Sequence, residues 1–584
     1  MGSTSLPPSF AAAIILGLGE TILSLLIPLL TMDMVEQIAV SDLKAATIGL
    51  LASVFALQTA FSGFSVYTMS YVGQYVIQGL RDDIWRQVLK LPIPFFDRNH
   101  SGETMSRVTN DTNVIKDFII GHVISFLGGI VSIIGGVSIL IWIDWRMTLL
   151  MLLAVPAALL VLWPLGSRMF RVSKSVQDET AAFQGDLGRV LTEIRLVKSS
   201  LAEPTEEEQG LRRIRSLFRF GLQEARIMSI VTPFMMTIML LLLVVLMGYG
   251  GVRVAQGSLA TGELVAILLY MFQIIMPFTQ MASFFTQFQK ALGASQRIIE
   301  LLEERTEEEV LQANRSTNHS GTDRGLSTAA TNFSCSSDKQ PIVFEQLSFG
   351  YVPDRPVLHA LSFAAEPDQM TAFVGPSGTG KTTLFSLIER FYLPTAGYIS
   401  YGTQPIHTIP LSEWRSKIAY VSQDSPMMAG TIRHNLTYGL GQVEESKLLL
   451  AVKQANLSHF IDSLPEGLET DVGERGIKLS GGQRQRLAIA RAIVRDPDIL
   501  LLDEATAHLD SESEKLVQEA LQQLMQGRTT LVIAHRLSTI RTADKIIILE
   551  EGTITGEGTH SELMQSHELY STLVQQQFLG ISES

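Results

Sequence analysis

The sequence predicts a helical membrane domain of six spans, followed by a soluble α/β domain. Hydrophobic residues make up 46% of the 584 residues and charged residues 18%, and the mean hydropathy is +0.24. This composition is too apolar for a purely soluble chain. Residues 1–80 contain only five charged residues, whereas residues 341–584 have a mixed composition. An apolar stretch at residues 371–374 leads into a glycine-rich loop and then a helical pattern, which is typical of α/β domains.

Six apolar stretches bounded by charges fall within residues 1–302, which we assign to the membrane domain. Each meets the length of about 20 residues that a membrane-spanning helix needs. A signal peptide is the alternative for the first stretch, but a basic leader and a small-residue cleavage site are both missing there. The predicted spans are residues 9–32, 45–68, 118–143, 147–167, 227–252 and 264–289.

Lysine and arginine are divided unevenly between the connections that join these spans. Residues 81–117 hold six and residues 168–226 hold eleven, whereas the three opposite connections hold only Lys44, Arg146 and Arg253. Because short loops rich in Lys and Arg stay in the cytoplasm, both chain ends are predicted to be cytoplasmic. The two basic connections are also long enough for helices to continue beyond the membrane.

An acidic run at residues 303–309 and a Ser/Thr/Asn-rich stretch at residues 314–337 separate the two halves. Such sequences bury little apolar surface, so residues 303–340 are predicted to form a flexible linker before a soluble domain at residues 341–584. The net charge of −13 argues against nucleic acid as a partner, because binding phosphates requires clustered Lys and Arg. A single cysteine, Cys335, excludes an intrachain disulfide and a multi-cysteine metal site.

The soluble domain contains a complete phosphate-binding loop (P-loop) between the strand at residues 371–374 and the following helix. Its glycines allow backbone N–H groups to point at phosphates, and the helix start adds positive partial charge. Lys381 is suited to neutralise phosphate oxygens and Thr382 to bind Mg²⁺, so ATP and Mg²⁺ are the predicted cofactors. The candidate binding residues are Gly375, Pro376, Ser377, Gly378, Thr379, Gly380, Lys381, Thr382 and Thr383.

A second apolar strand, at residues 499–502, ends in the paired carboxylates Asp503 and Glu504. Taken alone, the pair is equally typical of the solvated end of a buried strand. In a P-loop protein, however, one carboxylate at such a strand end holds Mg²⁺ and its neighbour polarises the attacking water. We therefore assign Asp503 to the metal and Glu504 to the role of general base.

The pentapeptide Leu479-Ser480-Gly481-Gly482-Gln483 lies between these two elements. With this signature in place, the chain resembles the ATP-binding cassette (ABC) proteins. The resemblance implies an ATPase with Tyr351 stacked on adenine, Gln423 as a coupling glutamine that also reaches the metal, and His535 as a catalytic switch. It further matches Asp510 to the loop between two cassettes and Glu474 to a segment that exporters place near the membrane domain.

The resemblance also implies that Ser480, Gly481, Gly482 and Gln483 complete the ATP site of a second chain. A helix start presents N–H groups to an anion, yet this chain already covers the phosphates with its own P-loop. One cassette and six spans would then be half of a functional unit. Because Glu504, His535 and the signature are all intact, a homodimer is favoured over a heterodimer.

The membrane half is similar to that of ABC exporters of the bacterial multidrug half-transporter type. Residues 91–96, 101–103 and 106–112 resemble their first cytoplasmic coupling segment, and a second is expected near residues 197–208. The likeness implies a location in the bacterial plasma membrane, with the lipid bilayer as a partner. Two departures are the missing basic amphipathic helix before the first span and His508, which replaces a residue that is usually small.

The substrate is predicted less directly. Spans five and six are rich in Met and Phe, which suit hydrophobic or amphipathic small molecules but equally suit lipid contact and helix packing. Glu20 is a lone acid within span one, and it is either a contact for cationic substrates or a group near the membrane surface. The Met and Phe residues are Met235, Met236, Met239, Met247, Met271, Phe272, Met276, Phe278, Met281, Phe284, Phe285 and Phe288.

The predicted function is therefore ATP-driven multidrug export. A flippase for lipids or lipid-linked glycans and an ATP-gated channel or regulator remain the alternatives.

Overall fold

The structure is a computed structural model that describes residues 8–99, 101–318, 339–352, 354–503, 511–534 and 536–582. The chain forms two compact units. We call Met1–Leu89 with Ser101–Glu304 the membrane unit, and Lys90–His100 with Arg305–Ser584 the cassette unit.

Long helices dominate the first half of the chain. Four of them contain 43 to 53 residues, roughly twice what a bilayer requires, so they continue beyond the hydrocarbon region. Two π-helical turns, Arg107–Asp111 and Ile119–Val123, interrupt the run around α5. The helices are α1 Pro8–Ala39, α2 Ala45–Val88, α3 Ile93–Arg98, α4 Ser101–Ser106, α5 Thr112–Phe118, α6 Ile124–Ile143, α7 Trp145–Thr192, α8 Ile194–Ser199, α9 Glu203–Ala255, α10 Thr261–Glu303 and α11 Glu307–Asn318.

The six predicted spans all fall within helical segments, and their crossing of a membrane stays a prediction. Among the described residues, four helical segments are long and apolar enough to cross a membrane: Pro8–Ala39, Ala45–Val88, Gly102–Ile143 and Glu203–Ala255. Thr261–Pro277 in α10 is a shorter apolar segment. The predicted third span, residues 118–143, begins at the end of α5 and includes one of the π-helical turns.

The flexible linker predicted from residue 303 is wrong for its first part. Residues 307–318 form α11, and the Glu307 carboxylate accepts two hydrogen bonds from the Arg415 guanidinium, at 2.6 and 3.1 Å. The acidic composition suggested flexibility, but this bidentate ion pair supplies a partner that composition does not reveal. The rest of the predicted linker, residues 319–338, lies outside the described residues.

In the membrane unit, α1 packs against α2, α6 and α10, whereas α7 packs mainly along α9. A buried core joins the start of α7, the end of α9 and the start of α10, and it includes Met147, Leu246 and Ile267. Gly250 permits this approach, because a Cβ atom there would lie 2.4 Å from a Leu264 methyl group. A buried apolar core of the membrane unit thus lies near the α6–α7 and α9–α10 turns.

An ion pair closes this end of the membrane unit. The side chains of Asp144, in the α6–α7 turn, and Arg253, at the end of α9, are only 10% and 12% exposed and are paired with each other. Asp144 also caps α7 by accepting from the Met147 N–H at 2.8 Å, and Arg253 donates to the Ser258 carbonyl at 3.2 Å. The two turns are therefore tied together by a partly buried ion pair.

The described strands of the cassette unit form two sheets. One is antiparallel, in the order β2-β1-β4-β5; the other has the order β10-β9-β3-β8-β7-β6, with all pairings parallel except β10 with β9. The strands are β1 Ile342–Phe349, β2 Leu358–Ala365, β3 Met370–Val374, β4 Ala396–Tyr401, β5 Gln404–Pro405, β6 Ile418–Val421, β7 Ile499–Asp503, β8 Thr529–Ile533, β9 Lys545–Glu550 and β10 Thr553–Gly558.

Helices cover the parallel strands, as a sheet buried on both faces requires. Two apolar cores result: one contains Leu500 and Leu502 of β7 with residues of α17, and the other contains Ile499 and Leu501 with residues of α12. The helices are α12 Lys381–Ile388, α13 Leu411–Ser416, α14 Ile432–Leu436, α15 Glu445–Gln454, α16 Ser458–Asp462, α17 Gly481–Arg495, α18 Ser511–Met525, α19 Leu537–Arg541, α20 His560–Ser566 and α21 Glu568–Ser582.

Candidate functional site

The P-loop joins the fully buried strand β3 to the start of α12. At Gly375 a Cβ atom would lie 2.1 Å from the Leu549 carbonyl oxygen, so only glycine fits this close passage. Gly380, immediately before α12, has φ +92°, and a Cβ there would lie 2.5 Å from a Leu358 methyl group. Steric crowding and a left-handed backbone thus both require glycine in this loop.

Lys381 lies within the curve of the loop. Its ammonium group donates to the carbonyl oxygens of Gly375 and Pro376 at 2.8 and 2.7 Å, and the residue is 6% exposed. Thr379 also donates to the Pro376 carbonyl, at 3.0 Å, whereas Thr382 is exposed. The loop therefore holds a positive charge beside the N-terminus of α12, an arrangement suited to phosphate groups.

The order of the parallel strands brings other predicted residues to the same sheet edge. β3 and β7 are separated only by β8, and β6 lies beyond β7. Because the strands are parallel, the P-loop after β3, Asp503 at the end of β7 and the exposed Gln423 just after β6 share the carboxyl-terminal edge. This edge combines a phosphate-binding loop with oxygen ligands of the type Mg²⁺ prefers.

Tyr420 supports Asp503 at this edge, a contact that the sequence reasoning missed. Its hydroxyl donates to the Asp503 carboxylate at 3.3 Å. Burial, and then the nearby Asp503 charge, raise the pKa of Tyr420, so the hydroxyl stays protonated and available as a donor. The sequence feature that could have indicated this contact is the position of Tyr420, three residues before Gln423 in the predicted site.

The signature pentapeptide forms the start of α17. Ser480 caps the helix by accepting from the Gln483 N–H at 3.2 Å, and the Gln483 side chain accepts from the Ser480 N–H at 2.8 Å. Ser480 and Gly481 are exposed, whereas Gly482 is buried. The capping pair fixes an accessible helix N-terminus that can receive an anion.

Comparisons with known proteins agree with this architecture. Residues 9–278 match the ABC transporter transmembrane region and residues 358–507 match the ABC transporter family. The chain is 40% identical over 569 residues to the multidrug resistance ABC transporter ATP-binding and permease protein of Lactococcus lactis subsp. cremoris (strain MG1363), covering 97% of this chain and 93% of that protein. The chain belongs to the ABC transporter family.

Two other relatives place this ABC transporter among the exporters. It is 34% identical to an ATP-dependent lipid A-core flippase of Syntrophus aciditrophicus (strain SB), over 90% of this chain and 84% of that protein. A solved bacterial Atm1-family ABC exporter with ATP bound has a TM-score of 0.76 at 26% identity, covering 98% of this chain and 99% of that chain. The chain is therefore an ABC exporter, and its enzymatic activity is ATP hydrolysis coupled to transport.

Several predicted residues of this ABC exporter lie outside the described residues. They are Cys335, Glu504, His508, Asp510 and His535. Two others are described: Tyr351 is 47% exposed, and Glu474 begins a short 3₁₀ turn at an exposed position. Accessible ring surface on Tyr351 is what stacking on an adenine base requires.

Each predicted coupling segment of this exporter includes all or part of a short helix. The first contains α3, which packs within the cassette unit, and the second spans the end of α8, the turn at residues 200–202 and the start of α9. At this second turn Ile194, Leu196 and Leu201 are exposed.

The Met and Phe residues of α9 and α10 are divided between core and surface. Met271 is fully buried in the membrane-unit core, whereas Met236, Met247, Phe272, Met276, Phe285 and Phe288 are exposed. Phe284 stacks on Phe126 of α6 with ring centroids 3.9 Å apart. Part of this set therefore packs the helices together, and part is accessible to lipid or substrate.

Proposed function

We propose that this ABC exporter is a homodimer that moves hydrophobic and amphipathic compounds out of the cytoplasm or inner leaflet of a bacterial plasma membrane. The observation that carries the proposal is the 40% identity, over nearly the full length, to a multidrug resistance transporter. The lipid A-core flippase is more distant, at 34%. The exposed, adaptable Met and Phe side chains of α9 and α10 support varied substrates rather than a single one.

The homodimer follows because each chain carries two parts of an ATP site, the P-loop and the signature, that would serve different nucleotides. In this proposal the P-loop edge holds the phosphates of the chain's own nucleotide, so the accessible N-terminus of α17 can serve a different nucleotide. That nucleotide would be bound on the P-loop of a second copy of the chain, and the two ATP sites of the dimer would then be equivalent. Near the α8–α9 turn, the apolar side chains of Ile194, Leu196 and Leu201 are exposed. An exposed apolar patch is typical of a surface that a partner covers, which supports dimerisation.

Each ATP site would be built from residues with separate tasks. Lys381 and the N-terminus of α12 hold the phosphates, and Tyr351 stacks on the base. Thr382, Gln423 and Asp503 provide oxygen ligands for Mg²⁺, which when bound neutralises phosphate charge. Glu504 polarises the attacking water, and His535 contacts the γ-phosphate.

Transport then requires that ATP binds the closed pair of cassettes more tightly than the separated pair. Contacts between the γ-phosphate and Ser480 through Gln483 of a second chain exist only in the closed form, which gives the required difference in affinity. We assign α3 and the α8–α9 turn to the transmission of closure to the spans. Both chain ends lie in the cytoplasm, and the turns that hold Asp144 and Arg253 face outside.

Inside-out membrane vesicles provide the test. ATP should drive accumulation of an amphipathic fluorescent dye, and vesicles with Glu504→Gln protein should accumulate none. Purified protein should also hydrolyse ATP faster when the dye is added.

Inversion of a fluorescent lipid without dye accumulation would instead support the flippase function. Dye-independent ATP hydrolysis with neither activity would support an ATP-gated channel or regulator, and it would contradict export.

A further inference from the structure

The short helix α3 packs with the cassette, although it lies between α2 and α4 in the sequence. Lys90–His100 belongs to the cassette unit. The backbone N–H of Glu307 in α11 donates to the Lys90 carbonyl at 2.8 Å, just before α3. Near the end of α3, the Asp97 carboxylate accepts a hydrogen bond from the Tyr392 hydroxyl. The segment is thus held at both ends by residues of the second half of the chain.

Tyr392 is connected to the P-loop through the backbone. It lies four residues beyond α12, the helix that begins at Lys381, and its side chain is partly buried. Burial, and then the hydrogen bond to Asp97, raise the pKa of Tyr392. Its hydroxyl therefore remains a proton donor to Asp97 throughout the physiological range.

The ring of Tyr392 also touches the residue expected to stack on adenine. Its centroid lies 5.0 Å from that of Tyr351, with the planes at 87°, and 5.4 Å from that of Phe349. Phe349 and Tyr351 pack edge to face at 5.0 Å, and the Tyr351 hydroxyl is hydrogen-bonded to Thr383 Oγ1 at 3.1 Å. Edge-to-face contacts are directional, so the orientation of one ring limits that of the others.

We propose that Tyr392 is a positioning residue that links the base bound on Tyr351 to helix α3. The inference rests on the proposed function and deepens it, because it names one route by which nucleotide occupancy reaches the membrane helices. A base stacked on Tyr351 fixes that ring, the ring contact restricts Tyr392, and the hydroxyl–carboxylate bond carries the restriction to Asp97. Short stretches of chain connect α3 to α2 and α4.

Tyr392→Phe tests the link because it keeps the ring and removes only the hydroxyl. In full-length protein, the KM for ATP and the basal ATP hydrolysis should stay within about twofold, since Tyr351 and Lys381 are untouched. Dye transported per ATP hydrolysed should fall by about fivefold or more, the size of an ordinary coupling between two sites. Asp97→Ala, which removes the acceptor, should have the same effect, and the double variant should be no worse than either single variant.

The chain offers a matched control. The Tyr398 hydroxyl donates to the Glu345 carboxylate at 2.5 Å, the same chemistry between two strands of the antiparallel sheet. Tyr398→Phe should leave transport per ATP unchanged. An equal loss in both variants would mean that any such hydroxyl matters, and it would overturn the specific role of Tyr392.

A second measurement does not depend on the substrate and so separates this inference from the proposed function. Arg98→Cys places a thiol on the exposed end of α3 in a Cys335→Ser background. ATP should change the labelling rate of this thiol, and Tyr392→Phe should reduce that change by about fivefold. An unchanged ATP response in Tyr392→Phe, or a parallel loss of ATP affinity, would overturn the inference even if wild-type protein transports dye.

Discussion

The cassette unit and the membrane unit bury their side chains in different ways. The cassette has apolar cores on both faces of its parallel sheet, and the strands that lead to the P-loop and to Asp503 are buried. The membrane unit concentrates its core near the α6–α7 and α9–α10 turns. Elsewhere its long helices expose large apolar side chains such as Phe170, Phe218 and Leu241.

This difference in burial indicates what each unit needs from outside the chain. The cassette folds around its own cores, but in the proposed mechanism its chemistry requires a signature from a second chain. The membrane unit exposes apolar surface that water does not stabilise, so we expect lipid and the proposed partner to cover it. Substitutions at the candidate ATP site of the cassette should therefore affect catalysis more than folding. Substitutions in the core of the membrane unit should affect folding more than catalysis.

Glu504→Gln should give the largest effect. Without a base to polarise water, ATP hydrolysis should fall by about 10²- to 10⁴-fold, whereas ATP binding should persist and the closed dimer should accumulate. Rate measurements on purified protein, with nucleotide binding measured in parallel, check both parts. Near-normal turnover would contradict the assignment of Glu504 as the base.

Paired cysteines test whether the cassette requires a second chain. Thr379→Cys with Ser480→Cys, in the Cys335→Ser background, should form a link between chains that runs at about twice the monomer mass on a denaturing, non-reducing gel. Disulfides need Cα atoms within about 4.4–6.8 Å, so a short bifunctional thiol reagent should accompany oxidation. Bound ATP should slow the reaction by occupying the gap.

Neither single-cysteine control should give the ATP-sensitive band. If both thiols react while the chain stays at monomer mass, each ATP site is self-contained and the proposed dimer mechanism is wrong.

Asp144→Asn should affect the stability of the fold more than it affects ATP hydrolysis. The substitution keeps the oxygen that caps α7 but leaves the partly buried Arg253 without its anionic partner, a change that should cost about 1–3 kcal/mol. We expect the temperature of half-inactivation in detergent to fall by several degrees, with ATP hydrolysis by the intact protein little changed.

Glu103→Gln is the matched control for this prediction. The Glu103 carboxylate pairs with Arg107 at 2.8 Å, but the Glu103 side chain is 54% exposed, so its loss should cost less than about 1 kcal/mol. Equal stability changes in the two variants would show that the packed end of the membrane unit has no special role.

The P-loop and the strands that lead to the candidate ATP site could be predicted from the sequence, whereas the contacts around them could not. Gly375 and Gly380 could be recognised because steric crowding permits few alternatives there, and the apolar strands that end at the site follow a local pattern. Asp144 pairs with Arg253 across 109 residues, and Tyr392 bonds Asp97 across 295, so no local pattern contains either contact. The helix α11 was missed for the same reason, since Arg415 supplies its ion pair from a distant part of the chain.

Glu20→Gln should give the smallest effect and probes the membrane unit without disturbing its core. Glu20 lies in the middle of α1 at a partly buried position, and a carboxylate there attracts cationic compounds through charge alone. Removing the charge should weaken transport of cationic dyes by about five- to tenfold while leaving neutral substrates and basal ATP hydrolysis unchanged, because an interaction of about 1 kcal/mol is at stake. Transport assays with a cationic dye and a neutral dye of similar size check this selectivity. An equal loss for both would remove Glu20 from the substrate path and place it among the groups that only support the helix.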